Sequence, residues 1–222
     1  IDAFRQLGAE ISFDGDFYEL KLSRPKNSSE KVALNEFSVT GTENVILYSA
    51  LNPGTTIIKI ADTDYQVQEL ANFLRVMGAK IEFLPHHTIL VEGRDKLDGA
   101  EYDLMYDPIE AGTLILTAAA TKGKVAVQNV QIDFLELFFK KLRSFGVPYE
   151  IKEKTKGLAE VAVLPWNEIH IDRLQSLPYP GLHSDLLSAF GVLSTQSLGS
   201  TLIYFSRSPR TENSRFVKVA FT

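Results

Sequence analysis

One phrase is spelled three times along this chain: FRQLGAEISF around Gly8, FLRVMGAKIEF around Gly78 and KLRSFGVPYEI around Gly146. Each copy reads as an amphipathic helix, a glycine that ends it, and an apolar strand. The copies lie about 70 residues apart, so the fold must be assembled from a repeated unit. A second set of glycines keeps the same period. NVILYSALNPGTTIIKI holds Gly54, GTLILTAAATKGKVAVQNV holds Gly123, and LLSAFGVLSTQSLGSTLIYF holds Gly199. There, too, an apolar helix is expected to stop at a glycine in the left-handed conformation, with a β-branched strand following.

Each unit therefore reads helix, Gly, strand, loop, helix, Gly, strand, turn, strand. Within VQELANFLRVM, Val67, Leu70, Leu74 and Met77 fall at helical spacing and form one buried stripe. A unit of two helices and a few strands buries little alone, so several must share an interior. That favours a globular α/β repeat domain over a thin solenoid. With 222 residues, one large or two modest domains are expected. The boundary falls near YDLMYDPIEAGT, where Asp107 and Glu110 stand in capping-box spacing at a helix start. Residues 1–105 and 106–222 are thus assigned to two domains.

Charge narrows the partners. The net charge is −5 with both signs interspersed, so no broad basic face advertises nucleic acid or an anionic membrane. The chain holds no cysteine, which removes disulfides, thiolate metal sites and a thiol nucleophile from these residues and fits a reducing cytosol. No run of about 18 apolar residues and no signal peptide is present, so a soluble chain is expected. It opens directly in helical rhythm, without an initiator methionine, and is read as a piece of something longer.

The strings SVTGTENVILYSALNPGTTIIKIADTDYQVQELANFLRVMGAKI, DPIEAGTLILTAAATKGKVAVQNVQ and YPGLHSD closely resemble the UDP-N-acetylglucosamine enolpyruvyl transferases. That family shares a superfamily with enolpyruvylshikimate-phosphate (EPSP) synthase. The likeness runs from about Ile1 to about Ile203. It implies an α/β fold of repeated βαβαββ units, an inside-out α/β barrel in two domains with the active site in the cleft between them. It also implies a reaction. The 3′-hydroxyl of UDP-N-acetylglucosamine adds to C2 of phosphoenolpyruvate, and the resulting ketal loses phosphate, feeding peptidoglycan synthesis in the cytoplasm. No metal and no organic cofactor is implied, and the oligomeric state is left open. The chain matches only the middle of the family pattern, and the resemblance thus implies that both domains are partial.

The resemblance assigns residues. Asp185 matches the acid that takes the proton of the sugar hydroxyl, a step that needs a carboxylate within about 3 Å of that hydroxyl. The residues alone favour a plain helix cap at Asp185. Glu36, Phe37, Ser38 and Val39 match nucleotide-contacting positions, where a hydroxyl and backbone amides at a helix start can hold phosphate; Ser38 or Thr42 can also simply cap that helix. Arg207, with Arg210 and Arg215 near it, could clamp an anion. Asp107 and Glu110 are read as structural caps, Asp64 and Gln66 as solvated loop residues, and Trp166 as core or interface. His86 and His87 form a turn without metal-ligand spacing. His183 is read as a solvated loop histidine that could tune Asp185.

This sequence departs from the family at several positions. His183-Ser184 replaces Pro-Thr, Leu187 replaces Gln, Glu36 replaces a basic residue, Thr40 replaces Gly, and Pro108 replaces Arg. Two alternatives stand beside the amino-sugar enzyme: a non-catalytic sugar-nucleotide-binding or interaction remnant, and an EPSP-synthase-like enzyme.

Overall fold

The computed structural model describes residues 1–22, 28–155, 157–204 and 216–221. The chain divides into two compact units, Ile1–Leu104 and Met105–Thr222, each with its own apolar core.

In the first unit a short helix α1 (Asp2–Gln6) leads to a hairpin of β1 (Glu10–Phe13) and β2 (Tyr18–Lys21). Then come β3 (Ser28–Ala33), α2 (Val39–Ala50), β4 (Gly54–Lys59), α3 (Tyr65–Val76), β5 (Lys80–Leu84) and β6 (Thr88–Gly93). This is one complete βαβαββ unit. Its sheet runs β3-β4-β6-β5, with β3 and β4 parallel across the α2 crossover and the other pairs antiparallel. A parallel pair requires such a crossover, which is why an apolar helix separates these two strands. Helices α2 and α3 pack on the sheet and on each other. Ile46, Ile58, Val67, Ile89 and Val91 are fully buried between them.

The end of α2 meets the end of β6 closely. A Cβ at Gly93 would lie 1.8 Å from the carbonyl oxygen of Asn52 and 2.3 Å from that of Ser49. Both obstacles are backbone, so no side-chain rotation relieves them, and the Arg94 amide donates to Ala50 O at 3.0 Å alongside.

The second unit runs α4 (Pro108–Ala120), β7 (Ala126–Gln131), a 3-10 turn at Ile132–Phe134, α5 (Glu136–Phe145), β8 (Tyr149–Thr155) and β9 (Leu158–Val163). It continues with β10 (Arg173–Gln175), α6 (Ser184–Ser194), β11 (Gly199–Tyr204) and β12 (Phe216–Phe221). Two three-stranded sheets result, β7-β9-β8 and β10-β11-β12. In the latter, β10 and β11 are parallel across α6, so a new repeat begins there. Helix α4 packs against α6, with Gly112 facing the methyl groups of Leu186. Phe138, Phe145 and Phe190 form a buried ring cluster beside them. Trp166 belongs to this core; its Nε1–H donates to Ala119 O at 3.0 Å, and Lys122 Nζ stands 4.1 Å from its ring centroid.

The glycine reading needs correction. Gly8, Gly78 and Gly146 do take positive φ, and Gly146 is the left-handed cap of α5. In the second set the helices end earlier, at Ala50, Ala120 and Ser194. Gly54 and Gly199 take positive φ as the first residues of the strands that follow. After α4 the positive φ falls on Lys122, and Gly123 is not among the positive-φ residues.

His170 ties the segment before β10 to the turn after α6. Its Nε2 lies 2.8 Å from Asp172 Oδ1, and its Nδ1 faces the carbonyl oxygen of Leu198. Two oxygens flank one ring, so the imidazolium is the form that satisfies both. Asp172 first, and the Leu198 carbonyl second, raise the His170 pKa above its ordinary value of 6.5. A raised folded pKa adds stability that is complete below the unfolded value and fades as pH climbs through the folded one. The second unit is therefore expected to be more stable near pH 5.5 than near pH 8.5, and His170→Gln to remove that difference. Urea unfolding at the two pH values checks it. The His170 side chain is nearly half exposed and that of Asp172 almost wholly so, so added salt shrinks the effect.

Candidate functional site

Ser38 opens α2 as its N-cap, with Oγ accepting the Gly41 amide at 3.1 Å. Such a cap is worth about 1 kcal/mol. Thr42 does not open the helix. Its hydroxyl donates to Ser38 O at 2.8 Å and accepts the Asp62 amide at 2.9 Å, pinning the helix start to the loop after β4. Val39 is the first helical residue and is half-buried, as is Glu36. The Phe37 ring is exposed at its outer side and packs on His87, with ring centroids 4.5 Å apart. The structure thus brings Glu36, Phe37, Ser38 and Val39 together at one helix start, and adds His87 to them.

The electrostatics at this start are acidic. Asp62 and Asp64 are buried, at 8% and 7% exposure. The Asp62 carboxylate accepts the Asp64 amide, and the Asp64 carboxylate accepts the Tyr65 amide. Partial burial first, and the charge of Asp62 second, push Glu43 above the usual carboxyl range. Asp64 is not a solvated loop residue: it is the N-cap of α3, and Gln66 lies exposed in the first turn of that helix.

The second unit holds Asp185. Before it, Tyr179-Pro180 is a cis peptide. Gly181 has no room for a side chain, since a Cβ would meet Leu177 Cβ at 2.3 Å and Pro178 O at 2.6 Å. The tight turn then delivers the chain to α6. The N-cap is His183, not Asp185: the imidazole Nδ1 accepts the Asp185 amide at 3.2 Å. That corrects both the reading of Asp185 as a plain cap and the reading of His183 as a solvated loop residue.

Asp185 sits in the first helical turn with two-thirds of its side chain exposed. Its Oδ1 accepts from Ser184 Oγ at 3.3 Å, and its Oδ2 lies 3.8 Å from His183 Nδ1. A carboxylate so placed, near the positive end of a helix dipole, is reachable by a hydroxyl group from solvent. It can accept a proton.

Asp107 caps α4, accepting the amides of Ile109 at 2.7 Å and Glu110 at 3.4 Å, with Pro108 buried behind it as the first helical residue. His86 and His87 occupy the β5–β6 turn with φ of 62° and 50°. Among the described residues no three His, Asp, Glu or Cys side chains are grouped to hold a metal ion. No helix among them is long and apolar enough to cross a membrane. Arg207, Arg210 and Arg215 lie outside the described residues.

Sequence reasoning missed the His183 cap because Ser184 and Asp185, both favoured capping types, stand beside it. It also missed the buried state of Asp62 and Asp64, which sit in a polar stretch, ADTD, that reads as loop.

Comparison with known proteins agrees with this architecture. The EPSP synthase (3-phosphoshikimate 1-carboxyvinyltransferase) family matches residues 1–203. UDP-N-acetylglucosamine 1-carboxyvinyltransferase of Halothermothrix orenii is 36% identical over 203 residues, covering 91% of this chain and 47% of that protein. UDP-N-acetylglucosamine 1-carboxyvinyltransferase 1 of Caldanaerobacter subterraneus is 34% identical with the same coverage. The enolpyruvyl transferase NikO of Streptomyces tendae superposes with a TM-score of 0.78 at 21% identity, over 92% of this chain and 50% of its own. EPSP synthase of Acinetobacter baumannii superposes at 0.64 and 17% identity, over 96% of this chain and 49% of its own. These two share the fold. The chain spans about half the length of the relatives it matches. Its repeats, its βαβαββ sheet and its match over residues 1–203 place it in the EPSP synthase family of carboxyvinyltransferases.

Proposed function

We propose that these residues serve the transfer of the enolpyruvyl group of phosphoenolpyruvate to the 3′-hydroxyl of UDP-N-acetylglucosamine. The relatives at 34–36% identity carry that amino sugar in their names, which favours it over a shikimate acceptor. Such a product would feed peptidoglycan synthesis, in the cytoplasm. The observation that carries the reading is the Asp185 carboxylate, presented at the head of α6 without capping duty.

A neutral hydroxyl is a poor nucleophile. Asp185 accepts the hydroxyl proton as the C–O bond forms to C2 of phosphoenolpyruvate, while C3 takes up a proton from solvent and becomes a methyl group. Loss of phosphate from C2 with a proton from C3 then regenerates the double bond. In the first unit, the Ser38 hydroxyl proton and the amides at the head of α2 can face a phosphate oxygen, and Phe37 offers a ring edge to the nucleoside.

Calorimetric titration with UDP-N-acetylglucosamine tests the reading. Saturable binding is expected, weakened about tenfold or more by Asp185→Ala, the usual effect of losing a hydrogen bond to a charged group. Absence of binding by a folded sample would overturn it in favour of a non-catalytic relative. One observation supports that second reading: Glu36, Glu43, Asp62 and Asp64 surround the head of α2 with carboxyl groups, and a diphosphate would meet them there.

A further inference from the structure

We propose that His183 is a positioning residue for Asp185: its imidazole caps α6 and so leaves the Asp185 carboxylate, through Oδ2, for substrate. The proposal rests on the reading of Asp185 as the proton acceptor.

The first amides of a helix have no partner within it and capture a nearby acceptor. The side chain at the N-cap position ordinarily supplies that acceptor, most often Ser, Thr, Asp or Asn. Here the imidazole occupies the place. His183 Nδ1 lies 3.2 Å from the Asp185 amide, with His183 in the extended conformation of a cap residue, φ −60° and ψ 138°. A ring nitrogen accepts only through a lone pair, which puts the proton of neutral His183 on Nε2. The Asp185 carboxylate, two-thirds exposed, keeps a hydroxyl contact from Ser184 at one oxygen and stands 3.8 Å from Nδ1 at the other.

That second distance gives the arrangement two states. Protonation turns Nδ1 from acceptor into donor, so it must release the amide. The same atom then finds Asp185 Oδ2 within reach after a small side-chain rotation, and a charged hydrogen bond forms. In the neutral state the cap is made and Asp185 Oδ2 is not engaged by His183. In the protonated state the cap is lost and the carboxylate is occupied.

The elements packed on α6 are α4 and β11. Helix α4 contributes Glu110 and its cap Asp107, which is engaged with its own helix amides. Strand β11, GSTLIY, contributes none.

The test is an NMR titration of the isotope-labelled chain between pH 5.5 and 8, where imidazoles change charge and ordinary carboxyl groups do not. The Asp185 amide and its side-chain carboxyl carbon are both followed against the His183 ring. Both Asp185 signals are expected to inflect together with the ring, and His183→Asn, a cap that does not titrate, is expected to abolish the inflection. Affinity for UDP-N-acetylglucosamine should fall about tenfold from pH 7.5 to 5.5 in the unsubstituted chain, and stay level in His183→Asn. Asp185 signals that ignore the His183 titration would overturn the proposal, as would an acid-induced loss of affinity that persists in His183→Asn. Coupled signals with no ligand binding at any pH would instead overturn the functional reading while upholding the exchange at His183.

Discussion

Asp185→Asn is expected to slow phosphate release from phosphoenolpyruvate, in a preparation that turns over UDP-N-acetylglucosamine, by about 10²–10⁴-fold, the usual worth of a positioned general base. Asparagine keeps the size and the polar contacts of the side chain but cannot accept the hydroxyl proton. The structure makes the comparison clean. Helix α6 is capped by His183, so the substitution removes no cap and leaves the helix start intact. The loss should appear in kcat and in kcat/KM alike, because the missing interaction strengthens as the proton moves. Unchanged turnover, with unaltered circular dichroism, would remove Asp185 from the chemistry.

Phe190→Ala is expected to destabilise the second unit by about 3–5 kcal/mol. Phe190 is fully buried at the centre of an aromatic cluster, with its centroid 5.5 Å from that of Phe138 and 6.0 Å from that of Phe145. Truncation removes the transfer energy of the ring and leaves a hole that two rigid neighbours cannot close. The readout is selective, since the single tryptophan of the chain, Trp166, lies in the same core. Urea unfolding followed by its fluorescence should shift to lower denaturant by that amount. A shift worth less than about 1 kcal/mol would show that the cluster relaxes around the gap.

The repeat was legible because period and chirality leave few choices. A helix between two strands of one sheet makes them parallel, and a short turn makes the next pair antiparallel. From FLRVMGAKIEF and its neighbours the α2-β4-α3-β5-β6 order could be written down from the residues, whereas β3 (Ser28–Ala33) was expected only through the family resemblance. The residues that resisted were those whose role depends on a partner distant along the chain or of an unusual type. Asp62 is buried because Thr42, twenty positions earlier, receives its amide. His183 caps a helix although imidazole is not a favoured capping group, a role its residue type does not announce. Lys122 takes the left-handed conformation expected of Gly123 because α4 ends at Ala120.

The bare contact at Gly93 has a mechanical consequence at the opposite end of α2. Twelve helical residues make a rod about 18 Å long, with Gly93 bearing on one end and Ser38 at the other. A pivot of about three degrees at the glycine end would swing the Ser38 hydroxyl by about 1 Å, the margin that separates a hydrogen bond from none. Any side chain at Gly93 would push the C-terminal end of α2 off the sheet, and through the rigid helix that displacement would reach Ser38 at its head.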